Sequence, residues 1–245
     1  MKTKVVAEIG SNWEGDVLKA KEIMVQAKKA GADAVKFQIW RADDLYSRNH
    51  PSWKFIKKSE LTFEKTKKIK KIADRIGIEF FCSAFYPEAV DFLESLKIKR
   101  YKIASRTCIL KDPYSKETLE KIAKTRKPVI VSMGMGGNKK YLEKLFSKNK
   151  ECIFCYCISK YPLKFEEINW GKALKFNGFS DHTMDIIAPI VFVTLKNQLG
   201  TKSIFVEKHV KISQSKGPDA SSSMNVDQLR ELVSYIRIIE KKNFL

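Results

Sequence analysis

The stretch Ala27-Lys28-Lys29-Ala30-Gly31-Ala32-Asp33-Ala34-Val35-Lys36-Phe37-Gln38 decides the fold. Its first half closes a helical pattern running from Val17 to Ala30, with Leu18, Ile23, Met24 and Ala27 as apolar positions and Asp16 placed as N-cap. Gly31 supplies the left-handed residue on which helices commonly stop. Ala34 to Gln38 then reads as a short, mostly apolar strand of the kind parallel sheets bury. A helix feeding straight into a buried strand is half of a βαβ repeat.

Outward from this unit the same alternation recurs until there are eight strands. They are predicted over Lys4–Glu8, Ala34–Gln38, Glu79–Ser83, Arg100–Ile103, Pro128–Ser132, Cys152–Cys157, Phe176–Ser180 and Ser203–Lys208. Helical spacing fills Phe63–Ile76, Glu88–Leu96, Lys116–Thr125, Lys139–Ser147, Ile186–Leu199 and Asn225–Lys241, while Ser159–Lys175 is the least regular segment. Eight such units in 245 residues fit a closed barrel better than an open sheet. The expected fold is therefore α/β, a (β/α)8 TIM barrel forming one domain over residues 1–245. No G-x-G-x-x-G follows the first strand, so the mark of a dinucleotide-binding fold is missing.

The formal net charge is +19. Much of it lies on helix faces such as Lys67-Lys68-Ile69-Lys70-Lys71-Ile72, where isoleucines fall three apart between lysines. Neither aromatic interleaving nor a recognised motif accompanies this charge, so nucleic acid is not the expected partner. No apolar run has the length of a signal peptide or a membrane span, which points to a cytoplasmic protein without membrane contact. Five cysteines form an odd set best read as free thiols. Strand alternation puts Cys152 opposite Cys155 and Cys157, against a shared zinc site.

Each predicted strand ends in polar residues: Glu8; Lys36 with Gln38; Ser83; Lys102 with Ser105; Ser132; Ser159; Ser180 with His182; Glu207 with His209. Barrel active sites are built at that rim. One polar strand end is merely where a strand meets water, but eight together mark a site. Lys36 and Lys102 sit inside apolar runs, where a bare ammonium is costly, so they either meet an anion or snorkel. With hydroxyls from Ser83, Ser105, Ser132 and Ser180 they could cradle a molecule carrying both carboxylate and phosphate, such as phosphoenolpyruvate. His182 and His209, two of three histidines, end neighbouring strands and are either a structural pair or a metal site. His50 falls in a loop and receives no role.

The opening Ala7-Glu8-Ile9-Gly10-Ser11-Asn12-Trp13-Glu14-Gly15-Asp16 resembles the corresponding motif of the sialic acid synthase family. Similar motifs follow in family order at Ala30–Gln38, Tyr101–Ser105, Lys127–Met135, Ser180–Thr183, Glu207–His209 and Gly217–Asp219. The resemblance implies that Lys36, Ser83, Lys102, Ser105, Ser132, Ser159 and Ser180 hold phosphoenolpyruvate. It further implies that His182 and His209 bind a divalent metal, manganese with magnesium as alternative, beside Glu8 and Gln38. Tyr161 and Asp219 would stand on the sugar side. In the implied reaction C3 of phosphoenolpyruvate attacks an open-chain amino-sugar aldehyde, water adds at C2, and phosphate leaves by C–O cleavage. Lys36 and Lys102 would neutralise and position the anion, and Glu8 would assist proton movement or orient water.

Three departures qualify the resemblance. The sequence stops at Leu245, where the family usually continues into a small antifreeze-like domain that covers a partner's site. A homodimer or a separate lid-providing protein is therefore the expected partner. Ser105 is followed by Arg106-Thr107 where the family has Gly-Glu, replacing a carboxylate by a positive charge. Trp13 replaces His and Met133 replaces Thr, both expected at the active rim. Two other readings compete: a lyase or aldolase forming a Schiff base on Lys36 or Lys102, and a non-catalytic barrel that binds an anionic sugar or a partner protein.

Overall fold

A computed structural model describes residues 1–242. Eight parallel strands close into a barrel in sequence order: β1 (Lys2–Glu8), β2 (Ala34–Ile39), β3 (Glu79–Ala84), β4 (Tyr101–Ile103), β5 (Val129–Ser132), β6 (Cys152–Cys157), β7 (Gly178–Asp181) and β8 (Ser203–His209). The last strand pairs with the first, Glu8 opposite His209. The expected TIM barrel is thus the observed fold, with β6 as predicted and the other strand limits moved by at most two residues.

The helices are α1 (Val17–Lys29), α2 (Ala42–Leu45), α3 (Trp53–Ser59), α4 (Phe63–Ile76), α5 (Pro87–Ser95), α6 (Ser105–Cys108), α7 (Ser115–Lys124), α8 (Lys139–Leu145), α9 (Trp170–Ala173), α10 (Ile187–Gln198) and α11 (Val226–Lys241). Local chemistry sets their ends. Asp16 caps α1 by accepting from the Leu18 amide, and Asn225 with Gln228 forms a capping box on α11. The basic helix α4 buries Thr66, Ile69 and Ala73 and leaves its lysines outside, as its spacing predicts. Leu18 breaks the expected pattern of α1: it is 74% exposed, because the buried stripe runs through Ala20, Ile23, Met24 and Ala27.

Between β2 and α4, α2 and α3 fold across the barrel mouth. Four and seven residues are too few for a helical period to show in sequence. After β6 the irregular segment shrinks to a single 3₁₀ turn and the four-residue α9. Among the described residues no helix is long and apolar enough to cross a membrane.

Strand alternation sorts the barrel interior into layers. Lys4, Glu79 and Arg100 form the layer at the N-terminal end. Val6, Ala34, Phe81, Ile130, Cys155 and Phe205 make an apolar plug above them. Gly178 belongs to this layer because a Cβ there would meet Cys155 Sγ at 2.3 Å. Above the plug the interior becomes polar. All five cysteines are free thiols, and Cys152 is only partly buried on the face opposite Cys155 and Cys157.

Candidate active site

Strands β2, β4, β7 and β8 each send one charged or hydroxyl side chain onto the plug. Glu207 lies at the centre. Its Oε1 accepts from Ser180 Oγ at 2.8 Å and lies 3.3 Å from Lys102 Nζ, while its Oε2 lies 3.6 Å from Lys36 Nζ. Lys102 also donates to Ser132 Oγ at 2.6 Å. Lys36 reaches Glu8 Oε2 at 2.5 Å, and Gln38 Nε2 donates to Glu8 Oε1 at 3.0 Å. The four charges balance, yet their side chains are only 1–5% exposed.

Burial acts on these groups unequally. It is the main influence on Lys36 and pulls its ammonium down to about 8, against the opposing pull of Glu207. Burial is the largest single influence on the Lys102 ammonium and acts against it, but Glu207 together with the nearby Cys155 and Cys157 outweighs it and holds Lys102 above the usual lysine value. Burial opposes ionisation of Glu207 too, and the two lysines overcome it, bringing the carboxyl down to about 2.

This network floors a cavity of about 390 Å³ at the C-terminal mouth. Lys36, Gln38, Lys102, Ser105, Ser132, Ser159, Tyr161, Ser180, His182, His209 and Asp219, all singled out from sequence, line it. Glu8 and Ser83 do not. Both are fully buried below its surface, where Glu8 meets only Lys36 and Gln38, and Ser83 Oγ has no hydrogen-bond partner. In the strand register they stand level with residues that do line it, Glu8 with Lys36 and His209, and Ser83 with Gln38 and Lys102.

The imidazoles of His182 and His209 stand with ring centres 5.6 Å apart. His182 Nδ1 lies 2.7 Å from the Ile158 carbonyl, against 3.9 Å for Cys157 Sγ, so Nδ1 carries the proton and donates it to the carbonyl oxygen. That leaves the Nε2 lone pair facing the Tyr161 hydroxyl at 3.0 Å. His209 Nδ1 is buried without a partner. Burial, reinforced by the charge of Lys36, lowers His209 to about 4 against the pull of Asp219, and the ring is neutral near pH 7. Asp219 Oδ2 accepts from the Ser11 amide (2.7 Å) and hydroxyl (2.6 Å). Gly10, at φ +50°, allows this close approach, since a Cβ there would lie 2.5 Å from Asp219.

An unpartnered His209 Nδ1 and a His182 Nε2 shared only with the Tyr161 hydroxyl fit a divalent ion, but no group of three His, Cys, Asp or Glu among the described residues could hold one alone. A metal here would take its remaining ligands from water or substrate.

The wall above the floor is more apolar, with Trp40, Leu45, Tyr46, Phe55, Ile56 and Met135. Arg106 lies among them, turned aside: Nε donates to Asp112 at 2.6 Å, Nη2 donates to the Leu45 carbonyl at 2.9 Å, and the guanidinium faces Tyr46. Its charge is therefore matched by Asp112 and does not take the place of a carboxylate at the floor. Trp13 and Met133 correct another expectation. Trp13 is buried outside the barrel wall, edge-on to Phe37 and beneath Lys65, and Met133 packs against the same outer core. Neither lines the cavity.

Sequence reading placed Glu207 at a strand end but gave it no site role, although it touches both lysines. The signal was available in its alternation with His209. Gly134 was also missed: its amide donates to Ser105 Oγ at 2.9 Å, and a Cβ there would overlap Cys157 and Ser159.

A closed barrel whose charged, incompletely hydrogen-bonded layer floors a cavity at the C-terminal mouth defines a TIM-barrel enzyme acting on a small polar molecule. Residues 23–243 match the model of the NeuB family, and the chain belongs to that family. It is 37% identical to an uncharacterized protein of Methanocaldococcus jannaschii, covering 98% of this chain and 71% of that one. An N,N'-diacetyllegionaminic acid synthase of Legionella pneumophila is 32% identical, over 96% of this chain and 72% of the relative. Among solved structures, an N-acetylneuraminic acid synthetase of Leptospira borgpetersenii in complex with citrate superimposes with a TM-score of 0.84 at 25% identity. The match covers 97% of this chain and 84% of that one.

Proposed function

We propose that the chain condenses phosphoenolpyruvate with an amino-sugar aldehyde, N-acetylmannosamine or a 6-deoxy diamino relative, to give a nonulosonic acid and inorganic phosphate. The observation that carries this reading is the pair of buried ammoniums, Lys36 and Lys102, presented at the cavity floor with Ser132 and Ser180. Few small metabolites need two desolvated cations and several hydroxyl donors at once. Relatives whose names describe sugar-acid synthases support it.

In this reading Lys36, Lys102 and the serine hydroxyls hold the phosphate and carboxylate, leaving C3 toward the upper cavity. The acceptor lies between the histidine pair and the apolar wall, with Tyr161 and Asp219 at its polar end. C3 forms a bond to the aldehyde carbon, and the aldehyde oxygen takes up a proton. Water adds at C2 and gives up its protons as the C2–O bond to phosphate breaks, leaving a 2-keto acid. Glu207, ionised between two lysines, is placed to orient that water. Glu8 acts by fixing the Lys36 ammonium, a positioning task in place of the proton movement or water orientation expected of it.

His182 and His209 would hold the divalent cation, manganese or magnesium, which when bound supplies a Lewis acid for the aldehyde carbonyl. The orphaned His209 Nδ1 and the outward lone pair of His182 are what support it. A Schiff base on Lys36 gains from its lowered pKa, but its nitrogen is gripped by Glu8 at 2.5 Å. The synthase reading stands ahead of it.

The test is to incubate the protein with phosphoenolpyruvate, Mn2+ and a panel of amino-sugar aldehydes, following phosphate and new 2-keto acid together. Coupled, metal-dependent appearance of both is expected. Metal-independent trapping of a carbonyl substrate by borohydride would favour the Schiff-base enzyme instead.

A further inference from the structure

Behind the two imidazoles, on the outer face of the barrel wall, lies a second buried ion pair that the proposed chemistry does not use. Asp181 and Lys208 are register partners on β7 and β8. Their side chains are 0% and 1% exposed, and Nζ lies 2.6 Å from Oδ2. Alternation turns them away from Ser180, Glu207 and the histidines. Each immediately precedes one histidine in the chain.

The two histidines are held differently. His209 is a ladder residue of β8, paired with Glu8 of β1. His182 stands one residue past the end of β7, where the β7–β8 ladder stops at Asp181 and Lys208. A turn holds it there. Asp181 Oδ1 accepts from the Thr183 amide at 3.0 Å, and Oδ2 accepts from the Thr183 hydroxyl at 2.7 Å. Lys208 donates to Asp181 Oδ2 and to the Thr183 carbonyl, so one ammonium clamps the residues on both sides of His182. The His182 carbonyl and Nδ1 are engaged as well, by the Leu163 amide and the Ile158 carbonyl.

A packed apolar pair would join the strands as firmly, because a buried ion pair adds little stability over hydrophobic replacement. What the ion pair adds is direction: it ties the segment carrying His182 to the residue beside His209. We propose that Asp181 and Lys208 are positioning residues that set the spacing of His182 and His209 for one divalent cation. This rests on the metal reading given above. Metal affinity then depends on the pair, and phosphoenolpyruvate binding does so far less, since Lys36, Lys102 and Ser132 belong to other strands and Ser180 is fixed by the ladder and by Glu207.

The experiment compares the full chain with D181N and with the double variant D181N/K208M, which leaves no lone buried charge. Mn2+ binding is read from the electron paramagnetic resonance signal of the free ion, phosphoenolpyruvate binding by calorimetry without metal, and folding by the thermal midpoint. Both variants are expected to bind Mn2+ about 10–100-fold more weakly, the range for losing an outer-shell partner. Phosphoenolpyruvate affinity should stay within about twofold, because Ser180, the one residue of β7 assigned to it, is held in the β7–β8 ladder and by Glu207, not by the turn. A folded double variant with unchanged Mn2+ affinity overturns the proposal, and so does an equal loss of both ligands. Failure of both variants to fold assigns the pair to stability and overturns it too. The wild-type titration is read first: phosphoenolpyruvate binding without Mn2+ binding would remove the metal reading itself, and this inference with it.

Discussion

The two ends of the barrel interior carry clusters of the same side-chain types in opposite states. At the N-terminal end Glu79 uses both carboxylate oxygens, one on Lys4 and one on Arg100, each at 2.6 Å. These side chains keep 15–24% exposure, so water shares the cost of their charge. At the C-terminal end the charges are 1–5% exposed, and Ser83 Oγ, Glu207 Oε2 and His209 Nδ1 lack hydrogen-bond partners. A buried polar atom without a partner is costly, and proteins keep such atoms chiefly where something else will meet them. The lower cluster closes the barrel, and the upper one is built to receive a ligand.

Replacing Lys102 by Met should have the largest effect. It leaves Glu207 short of a counter-ion, costing about 3–5 kcal/mol of stability, and should lower turnover at least about 10²–10³-fold. Phosphate release and denaturant unfolding check the two parts, and wild-type turnover in the variant would make the upper cluster purely structural. Glu79→Gln probes the other end. It should cost about 1–3 kcal/mol of stability while turnover stays near wild type, and a collapse of activity would break the distinction between the ends.

Lys36 sharpens the comparison through pH. An ammonium that titrates at about 8 is cationic below that pH and neutral above it. Phosphoenolpyruvate affinity should therefore be flat below pH 8 and fall by up to about tenfold per unit above it, with the slope absent in Lys36→Arg. Stability should move the other way. Between about 8 and the ordinary lysine value near 10.4 the unfolded chain holds the proton that the folded chain has released, so this group's contribution to stability rises with pH. Calorimetry and thermal melts across pH 7–10 measure both. The smallest effect is expected for Trp13→Phe, which should cost about 1 kcal/mol of packing and leave the acceptor KM unchanged. A changed acceptor preference would return Trp13 to the active rim.

Much of this was legible in the chain. The unit around Gly31 and its recurrences predicted the barrel, because helical and strand periods are local. The polar residue at each strand end predicted the rim, and eleven of the thirteen site residues singled out do line the cavity. Glu8 and Ser83 stand in register with cavity residues but are themselves buried, because which side chain at a given level reaches the cavity is decided by packing across the barrel. Trp13 and Met133 were misplaced in direction: one follows β1 into a turn, the other faces outward after Ser132. The helices α2 and α3, which bring Leu45, Tyr46 and Phe55 to the cavity, are too short to announce themselves.

The sequence by itself determined the repeat, the fold class, the identity of the inward-facing polar residues and the family, since all of these rest on neighbours in the chain. Only the tertiary structure decided that Glu207 sits between Lys36 and Lys102, that Arg106 is held aside by Asp112, and that Asp181 and Lys208 clamp the turn carrying His182. Those contacts join residues from distant strands and loops. Barrel closure sets their distances, and no local pattern encodes it.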